Sequence, residues 1–174
     1  MSRFLILSMS ALLALTACSP AFNWREVRPE NTRLSVWLPC KPDKAQKVVP
    51  LGGQPTALSM LGCDAGGATF AVAMADIGDA SKAGSVLALW QSATLANMKA
   101  MPGTGQPLSL TVAGASLQPA PNRVLAQGQR TDGTPVSGQA AYFARGTQVF
   151  QAVMYAPAID AEAAETFFSS LKFE

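Results

Sequence analysis

Residues 69–77 read Thr-Phe-Ala-Val-Ala-Met-Ala-Asp-Ile, which is the pattern of a β-strand with two unequal faces. Large side chains alternate there with alanines: Phe70, Val72 and Met74 against Ala71, Ala73 and Ala75. Side chains two positions apart lie on the same side of a strand, so one face is bulky and the other is small. The small face either allows a helix to pack closely or leaves room for a groove.

Two helical patterns follow this strand. Residues 81–101 carry a broad set of apolar residues at helical spacing, and Ser81 is the predicted N-cap. A second helix is predicted over 160–171, with Asp160 as its cap. Its apolar residues fall at i, i+3, i+4 and i+7: Ala164, Phe167, Phe168 and Leu171. Both helices therefore have a face suited to packing on a sheet.

Strand patterns occupy most of the remaining chain. They cover 24–27, 33–38, 44–49, 56–63, 106–112, 115–118, 123–130, 136–145 and 147–155. Residues 131–134, Thr-Asp-Gly-Thr, are a hairpin signal, and Arg145-Gly146 begins another turn. Short turns of this kind join antiparallel neighbours. We predict an α+β fold, a mainly antiparallel sheet with helices packed on its faces, in a single domain over 23–174.

The strand over 33–38 places a tryptophan among polar residues. Its two faces are Leu34, Val36 and Leu38 on one side and Arg33, Ser35 and Trp37 on the other. Trp37 is either packed under a second helix or exposed as an anchor for a partner. Arg33 and Trp37 are therefore candidates for an interaction surface.

The amino-terminal residues have the features of an export signal. Arg3 is followed by an uncharged, mostly apolar run over 4–17. A membrane-spanning helix needs ~20 such residues, so this run is short for a permanent span and suited to a signal peptide. We predict that residues 1–17 are removed.

The run ends in Leu15-Thr16-Ala17-Cys18, which resembles the lipobox of bacterial lipoproteins. The resemblance implies cleavage before Cys18, a diacylglyceryl group on its thiol and a short tether over 18–22. Ser19, rather than Asp, after the cysteine favours the outer membrane by analogy with enteric bacteria. The alternative is an ordinary secretory signal that is cleaved after Ala21. The lipobox predicts a protein held on the periplasmic side of a bacterial membrane.

Cys40 and Cys63 are the remaining cysteines. In an oxidising compartment two cysteines most simply form a disulfide, which would stabilise the fold by roughly 3 kcal/mol. The alternatives are a reactive thiol or a metal site, but the chain has no Cys-x-x-Cys spacing and no histidine. We predict a structural disulfide.

The charge pattern argues against nucleic-acid binding. Without residues 1–17 the chain has 12 basic and 11 acidic residues. Charged residues make up 14% of the chain, against ~25% in an average soluble protein. Nucleic-acid binding uses a basic surface, and this sequence has none. The expected partners are the membrane, through the anchor, and an envelope protein or a hydrophobic ligand.

The absence of histidine excludes several chemistries. A Ser-His-Asp or Cys-His site and a His-ligated zinc or haem are impossible. Carboxylate or Ser/Lys catalysis remains open, but the acidic residues have mostly turn positions. Asp76 differs, because it is in phase with Phe70, Val72 and Met74. No catalytic residue, metal or cofactor is predicted, apart from the covalent lipid on Cys18.

Two parts of the chain resemble the PsbP-like domains, including the DcrB-like bacterial lipoproteins. They are Leu34-Ser35-Val36-Trp37-Leu38-Pro39 near the start and Ser-Ser-Leu-Lys-Phe over 169–173, after the acidic-capped helix with paired phenylalanines. The resemblance implies an α/β/α sandwich and a structural or adaptor role. This family shares no catalytic motif, so no functional residue is carried over to this chain.

Two functional hypotheses follow. The first is a non-catalytic envelope lipoprotein that binds a protein, a peptide or a lipid on a sheet face or in a groove. The second is a hydrolase-like enzyme that uses carboxylate or Ser/Lys chemistry. The first predicts an apolar patch or groove, and the second predicts polar side chains from distant segments that meet in one pocket.

Overall fold

A computed structural model describes residues 21–100 and 105–174, so Cys18 and the lipobox lie outside the described residues. The strands are β1 Arg25–Val27, β2 Leu34–Leu38, β3 Asp43–Leu51, β4 Gln54–Ala65, β5 Ala68–Asp76, β6 Gln106–Leu108, β7 Asn122–Gln129, β8 Pro135–Arg145, β9 Gln148–Ala156 and β10 Lys172–Phe173. The helices are α1 Ala83–Asn97 and α2 Ala161–Ser169, and a 3₁₀ turn over Ala80–Lys82 precedes α1. In the described part of the chain, neither helix has the length and apolarity needed to cross a bilayer.

The strands form two antiparallel sheets. Seven strands lie in the order β3-β4-β5-β9-β8-β7-β6, and a small sheet has the order β1-β2-β10. Every pair within these sheets is antiparallel. The predicted α+β class with a mainly antiparallel sheet is confirmed, and the predicted 131–134 hairpin joins β7 to β8.

The seven-stranded sheet separates two apolar cores. Helix α2 and the small sheet cover one face, where Phe70, Val72 and Met74 contact Phe150 and Met154 of β9 and the phenylalanines of α2. Helix α1 covers the other face, where Ala73 and Ala75 pack with Val86 and Leu87. The alternation within 69–77 therefore decides which core each residue of β5 enters.

The predicted bounds of the first helix were wrong. Asp79, not Ser81, supplies the capping oxygen: its Oδ1 accepts from the Ser81 backbone N–H at 3.0 Å and caps the 3₁₀ turn, and α1 begins at Ala83. At the other end the Met98 carbonyl accepts a hydrogen bond from Gln129 N at 2.6 Å, and Lys99 has a positive φ of 50°. A tertiary contact thus ends the helix before residue 101.

The second helix begins as predicted and ends early. The Asp160 side chain accepts from Ala163 N at 2.7 Å, which confirms the N-cap. Helix α2 ends at Ser169 instead of 171, because Lys172 and Phe173 pair with Ser35 and Leu34 of β2. Leu171 is nevertheless buried in the α2-side core.

The weakest strand predictions were only partly right. The predicted strand over 106–112 is reduced to β6, and 115–118 forms no strand. Ala113 instead makes an isolated bridge to Lys172, and Ser116 N donates to the Ala144 carbonyl at 2.7 Å. These backbone groups find partners in distant segments, which local sequence patterns do not show.

Candidate ligand groove

Helix α1 is seated on the sheet at both of its ends. Near its start, a Cβ added at Gly52, in the β3–β4 turn, would lie 2.7 Å from Val86 Cγ2. Near its end, a Cβ at Gly128 would collide with the Met98 carbonyl, and one at Gly138 would lie 2.7 Å from Met98 Cε. Glycine at these three positions allows the close approach. The helix is therefore fixed by two hairpins that stand on either side of it.

Between these contacts a groove of about 1000 Å³ remains open along α1. Helix α1, the β3–β4 turn and the β7–β8 turn form its walls, and side chains of β4, β5, β8 and β9 form its floor. The lining residues are Val49, Pro50, Leu51, Gly52, Gly53, Leu58, Thr69, Leu89, Trp90, Ala93, Thr94, Asn97, Met98, Gln129, Arg130, Thr131, Asp132, Val136, Gln151 and Tyr155. The alanines of β5 pack against α1, as predicted for a small face, and the groove lies beside them, with Thr69 as the β5 residue in its lining.

The groove changes in polarity along its length. The end beside the β3–β4 turn is apolar and includes Leu51, Leu58, Leu89 and Trp90. Leu89 is 60% exposed, which is unusual for a leucine of a packed helix. The end beside the β7–β8 turn is polar, with Asn97 and residues 129–132. Arg130 and Asp132, one of each sign, are the charged residues among the described lining residues.

A buried hydrogen-bond network joins α1 to the floor. Gln151 Nε2 donates to Thr94 Oγ1 at 2.8 Å and to the Tyr142 hydroxyl at 3.1 Å, and Thr94 Oγ1 donates to the Trp90 carbonyl at 2.9 Å. Burial raises the pKa of Tyr142, although the hydrogen bonds that it makes with Thr94 and Gln151 oppose the rise. The network fixes the position of α1 and keeps this part of the floor rigid.

Tyr155 lines the groove beside this network. Burial raises the pKa of Tyr155 to about 12, and the nearby Tyr142 adds to the rise. The hydroxyl therefore stays protonated in neutral solution and presents a neutral polar group to the groove. It is not poised to act as a base at neutral pH.

Trp37 and Arg33 lie on the opposite side of the molecule from the groove. Trp37 is 46% exposed, so it is not packed under a second helix, and its backbone N donates to Ser170 Oγ at 2.9 Å. Arg33 is exposed, and its carbonyl accepts from Glu174 N at 3.1 Å. Both residues belong to the region of the small sheet, and the structure does not bring them to the groove.

Ser35 of β2 lies on the same face as the exposed Arg33 and Trp37. It faces away from Val36 and Leu34 but is fully buried, because Glu26 of the neighbouring β1 lies over it and accepts a 2.6 Å hydrogen bond from its hydroxyl. That bond, followed by the hydrogen bond from Arg28, lowers the pKa of Glu26. Arg28 also contacts Glu174 at 2.8 Å. An ion-paired surface therefore adjoins Trp37.

The predicted disulfide between Cys40 and Cys63 is present, with the two Cα atoms 6.0 Å apart. It links the segment after β2 to β4 and so joins the small sheet to the large one. This linkage makes its role structural.

The acidic residues singled out in the sequence serve in turns. Asp76 is exposed at the end of β5, where its Oδ1 accepts from Gly78 N at 2.9 Å. Asp132 Oδ1 accepts from Thr134 N at 2.9 Å and from its hydroxyl at 2.7 Å. Within 21–100 and 105–174, no three His, Cys, Asp or Glu side chains form a group that could hold a metal ion.

One buried charge escaped the sequence analysis. Arg123 on β7 lies 4.0 Å above the Phe168 ring and donates to Gln139 Oε1, while the exposed Glu165 carboxylate is 3.5 Å away. Burial lowers the pKa of Arg123, and Glu165 opposes that effect. This cluster fastens α2 to the sheet on the side opposite the groove. The strand pattern around 123 could not indicate it, because its partners lie on β8 and α2.

No family model and no curated protein matches the chain. Among solved structures, the chain is similar to a protein from Bacteroides thetaiotaomicron, with 12% identity and a TM-score of 0.46 over 82% of this chain. It is also similar to PA94, a protein of unknown function from Pseudomonas aeruginosa, with 17% identity and a TM-score of 0.36 over 82% of this chain and 88% of that one. The chain spans 45% of the length of the Bacteroides protein.

Proposed function

We propose that this protein is a lipid-anchored protein of the bacterial envelope whose domain binds an elongated, mainly apolar ligand in the α1 groove and performs no catalysis. The groove itself carries the proposal. Ligand sites are typically clefts of ~300–1,000 Å³ with mainly apolar walls and a few placed polar groups. The α1 groove has that size, and it combines an apolar end with a polar one.

The chemistry of the lining favours binding over hydrolysis. Carboxylate catalysis needs two acidic groups near one bond, and Asp132 is the carboxylate among the described lining residues. Its oxygen is held by Thr134 in the turn. Tyr155 is protonated at neutral pH, and the Gln151 amide is committed to Thr94 and Tyr142. These groups suit recognition of a ligand rather than proton transfer.

The envelope location is supported by the Leu15-Thr16-Ala17-Cys18 lipobox resemblance and by the disulfide. Disulfides persist in oxidising compartments such as the periplasm. The layer arrangement, with α1 on one face of the sheet and α2 on the other, also supports membership of the PsbP-like α/β/α domains. That membership would place the protein among structural and adaptor proteins rather than enzymes.

The groove is tested by titration with N-phenyl-1-naphthylamine, an apolar dye that fluoresces when it leaves water. The protein is exported without its lipid, starting at Ser19, behind an ordinary secretory signal. Ala93→Phe fills the groove from an exposed position on α1, and Ala88→Phe adds the same ring at an exposed position on the side of the helix away from the groove. We expect the first variant to bind at least about tenfold more weakly, a loss of ~1.4 kcal/mol, and the second to bind normally.

Equal binding by both variants would place the dye elsewhere and contradict the proposed site. Thermal unfolding serves as the control, because both substitutions lie at exposed positions and should leave the melting temperature nearly unchanged.

The anchor is tested separately by mass spectrometry of the amino-terminal peptide from protein purified from bacterial membranes. We expect this peptide to begin at Cys18 and to carry diacylglycerol on the thiol. A peptide that begins at Phe22 would instead show cleavage after Ala21, the ordinary secretory alternative. It would contradict the proposed lipid anchor on Cys18.

A further inference from the structure

The described chain enters the fold at the end of the large sheet that carries the β4–β5 turn. The Phe22 ring lies 6.2 Å from the Phe70 ring and 5.7 Å from the Trp24 ring, and Asn23 N donates to the Pro39 carbonyl at 2.8 Å. A Cβ added at Gly66 would lie 2.5 Å from the Phe22 ring. Phe22 is therefore fixed beside the turn between β4 and β5. The described chain therefore joins the domain at this end of the large sheet, on the side where the proposed lipid anchor would hold it.

The polar end of the groove lies at the same end of the sheet. Tyr155 pairs with Thr69 at the start of β5, and Ala156 pairs with Ser137 at the start of β8. The β7–β8 turn, which carries Arg130 and Asp132, therefore stands beside the β4–β5 turn. The apolar end of the groove lies farther along the sheet, where Gly52 contacts Val86. A ligand that enters from the side of the anchor meets the polar end first.

The floor of the groove offers nothing to an extended peptide. Strands β4, β5, β9 and β8 each pair with a neighbour on both sides, so their backbone groups are already bonded. Strand addition needs an unpaired edge, and the edge that borders the groove is the end of β3, where Pro50 has no N–H to donate. The groove instead combines apolar walls with opposite charges at one end. This arrangement complements an acyl chain with a polar head.

From these observations, and resting on the proposed function, we infer that the groove takes one acyl chain of a membrane phospholipid, drawn from the bilayer that holds Cys18. The chain lies along α1 between Trp90 and the β3–β4 turn, and the head group stays beside Arg130 and Asp132. An anchor that keeps the polar end of the groove near the bilayer shortens the path of the chain into the protein. Transfer needs no chemical step, because no bond is formed or broken.

The test uses the lipidated protein in vesicles of equimolar phosphatidylethanolamine and phosphatidylglycerol, part of which carries bromine near the end of an acyl chain. Bromine quenches tryptophan fluorescence on contact. Trp24→Phe and Trp37→Phe leave Trp90, in the groove, as the remaining tryptophan. We expect Trp90 to be quenched, Ala93→Phe to lose most of the quenching and Ala88→Phe to keep it. If the tryptophan-depleted protein does not fold, the comparison of Ala93→Phe with Ala88→Phe is made in the natural tryptophan background.

Equal quenching in the two alanine variants would mean that Trp90 merely lies near the membrane, and this would overturn the inference. Quenching by a brominated free fatty acid in unbrominated vesicles, without quenching by the phospholipid, would overturn the phospholipid as the source. If the naphthylamine dye binds in the groove but neither lipid quenches, this inference fails and the proposed function stands. If the dye does not bind there either, both fail.

Discussion

The two faces of β5 differ in how completely they are filled. On the α2 side, Phe70, Val72 and Met74 meet large side chains, and the Phe70 and Phe167 rings lie 5.4 Å apart in an edge-to-face arrangement. On the α1 side the same strand presents alanines, and the helix touches the sheet mainly at its ends. Both sides contain an apolar core, but the α1 side also leaves a groove beside the helix. The alanines of β5 let α1 pack closely, and the groove lies next to them, where Thr69 is the β5 residue in its lining.

The largest expected effect comes from a substitution in the core on the α2 side of the sheet. Phe70→Ala removes a fully buried ring that contacts Phe22, Trp24 and Phe167, and it should lower the free energy of unfolding by ~3–5 kcal/mol. Leu89→Ala is the matched change on the groove side and should cost less than ~0.5 kcal/mol, because Leu89 is largely exposed. Urea unfolding of both variants measures the difference. Similar losses would show that the two sides are filled alike.

A smaller effect should follow from disturbing the contact between the end of α1 and the β7–β8 hairpin. A Cβ at Gly128 meets the Met98 backbone, which cannot rotate away, so Gly128→Ala should destabilise by ~1–3 kcal/mol. Gly84→Ala is the control, since its added Cβ comes no closer than 3.8 Å to a neighbouring chain segment and should gain up to ~1 kcal/mol of helix stability. Thermal unfolding distinguishes them. A harmless Gly128→Ala would mean that the helix end can move away from the sheet.

The last expected effect is confined to alkaline solution and appears as a dependence on pH. The pKa of Tyr155 is about 12 in the folded protein and near 10.0 in the unfolded chain, so between these values the unfolded chain loses its proton first. Stability should therefore fall as the pH rises from 10 toward 12. Tyr155→Phe should flatten this decline, which urea unfolding at several alkaline pH values would show. An unchanged slope would mean that Tyr155 is more hydrated than its position indicates.

Local patterns predicted those parts of the fold that depend on neighbouring residues. The alternation in 69–77, the hairpin over 131–134 and the Asp160 cap all concern residues within a few positions of each other. The end of α1 depends on Gln129, the short β10 depends on β2, and the burial of Ser35 depends on Glu26. Such contacts join distant segments, so the sequence could not place them.

The groove was foreseen only as a consequence of the alanine face. The alanines of β5 indicated that space could exist beneath a helix, but not which residues would surround it. Its walls come from α1 and from two hairpin turns whose approach depends on Gly52, Gly128 and Gly138. Trp37 was a candidate for an interaction surface because the other residues on its strand face are polar. Its exposed side chain remains a predicted contact surface, separate from the groove.

Methyl NMR of the protein during titration with a short-chain phospholipid below its micelle concentration tests the central claim most directly. We expect shifts for methyl groups of Leu58, Leu89, Met98 and Val136, which line the groove, and none for Leu61, Val72 and Met154 in the opposite core. Shifts confined to the α2 side would contradict the proposed lipid site in the groove. The absence of any shift up to the highest phospholipid concentration below the micelle limit would contradict it too.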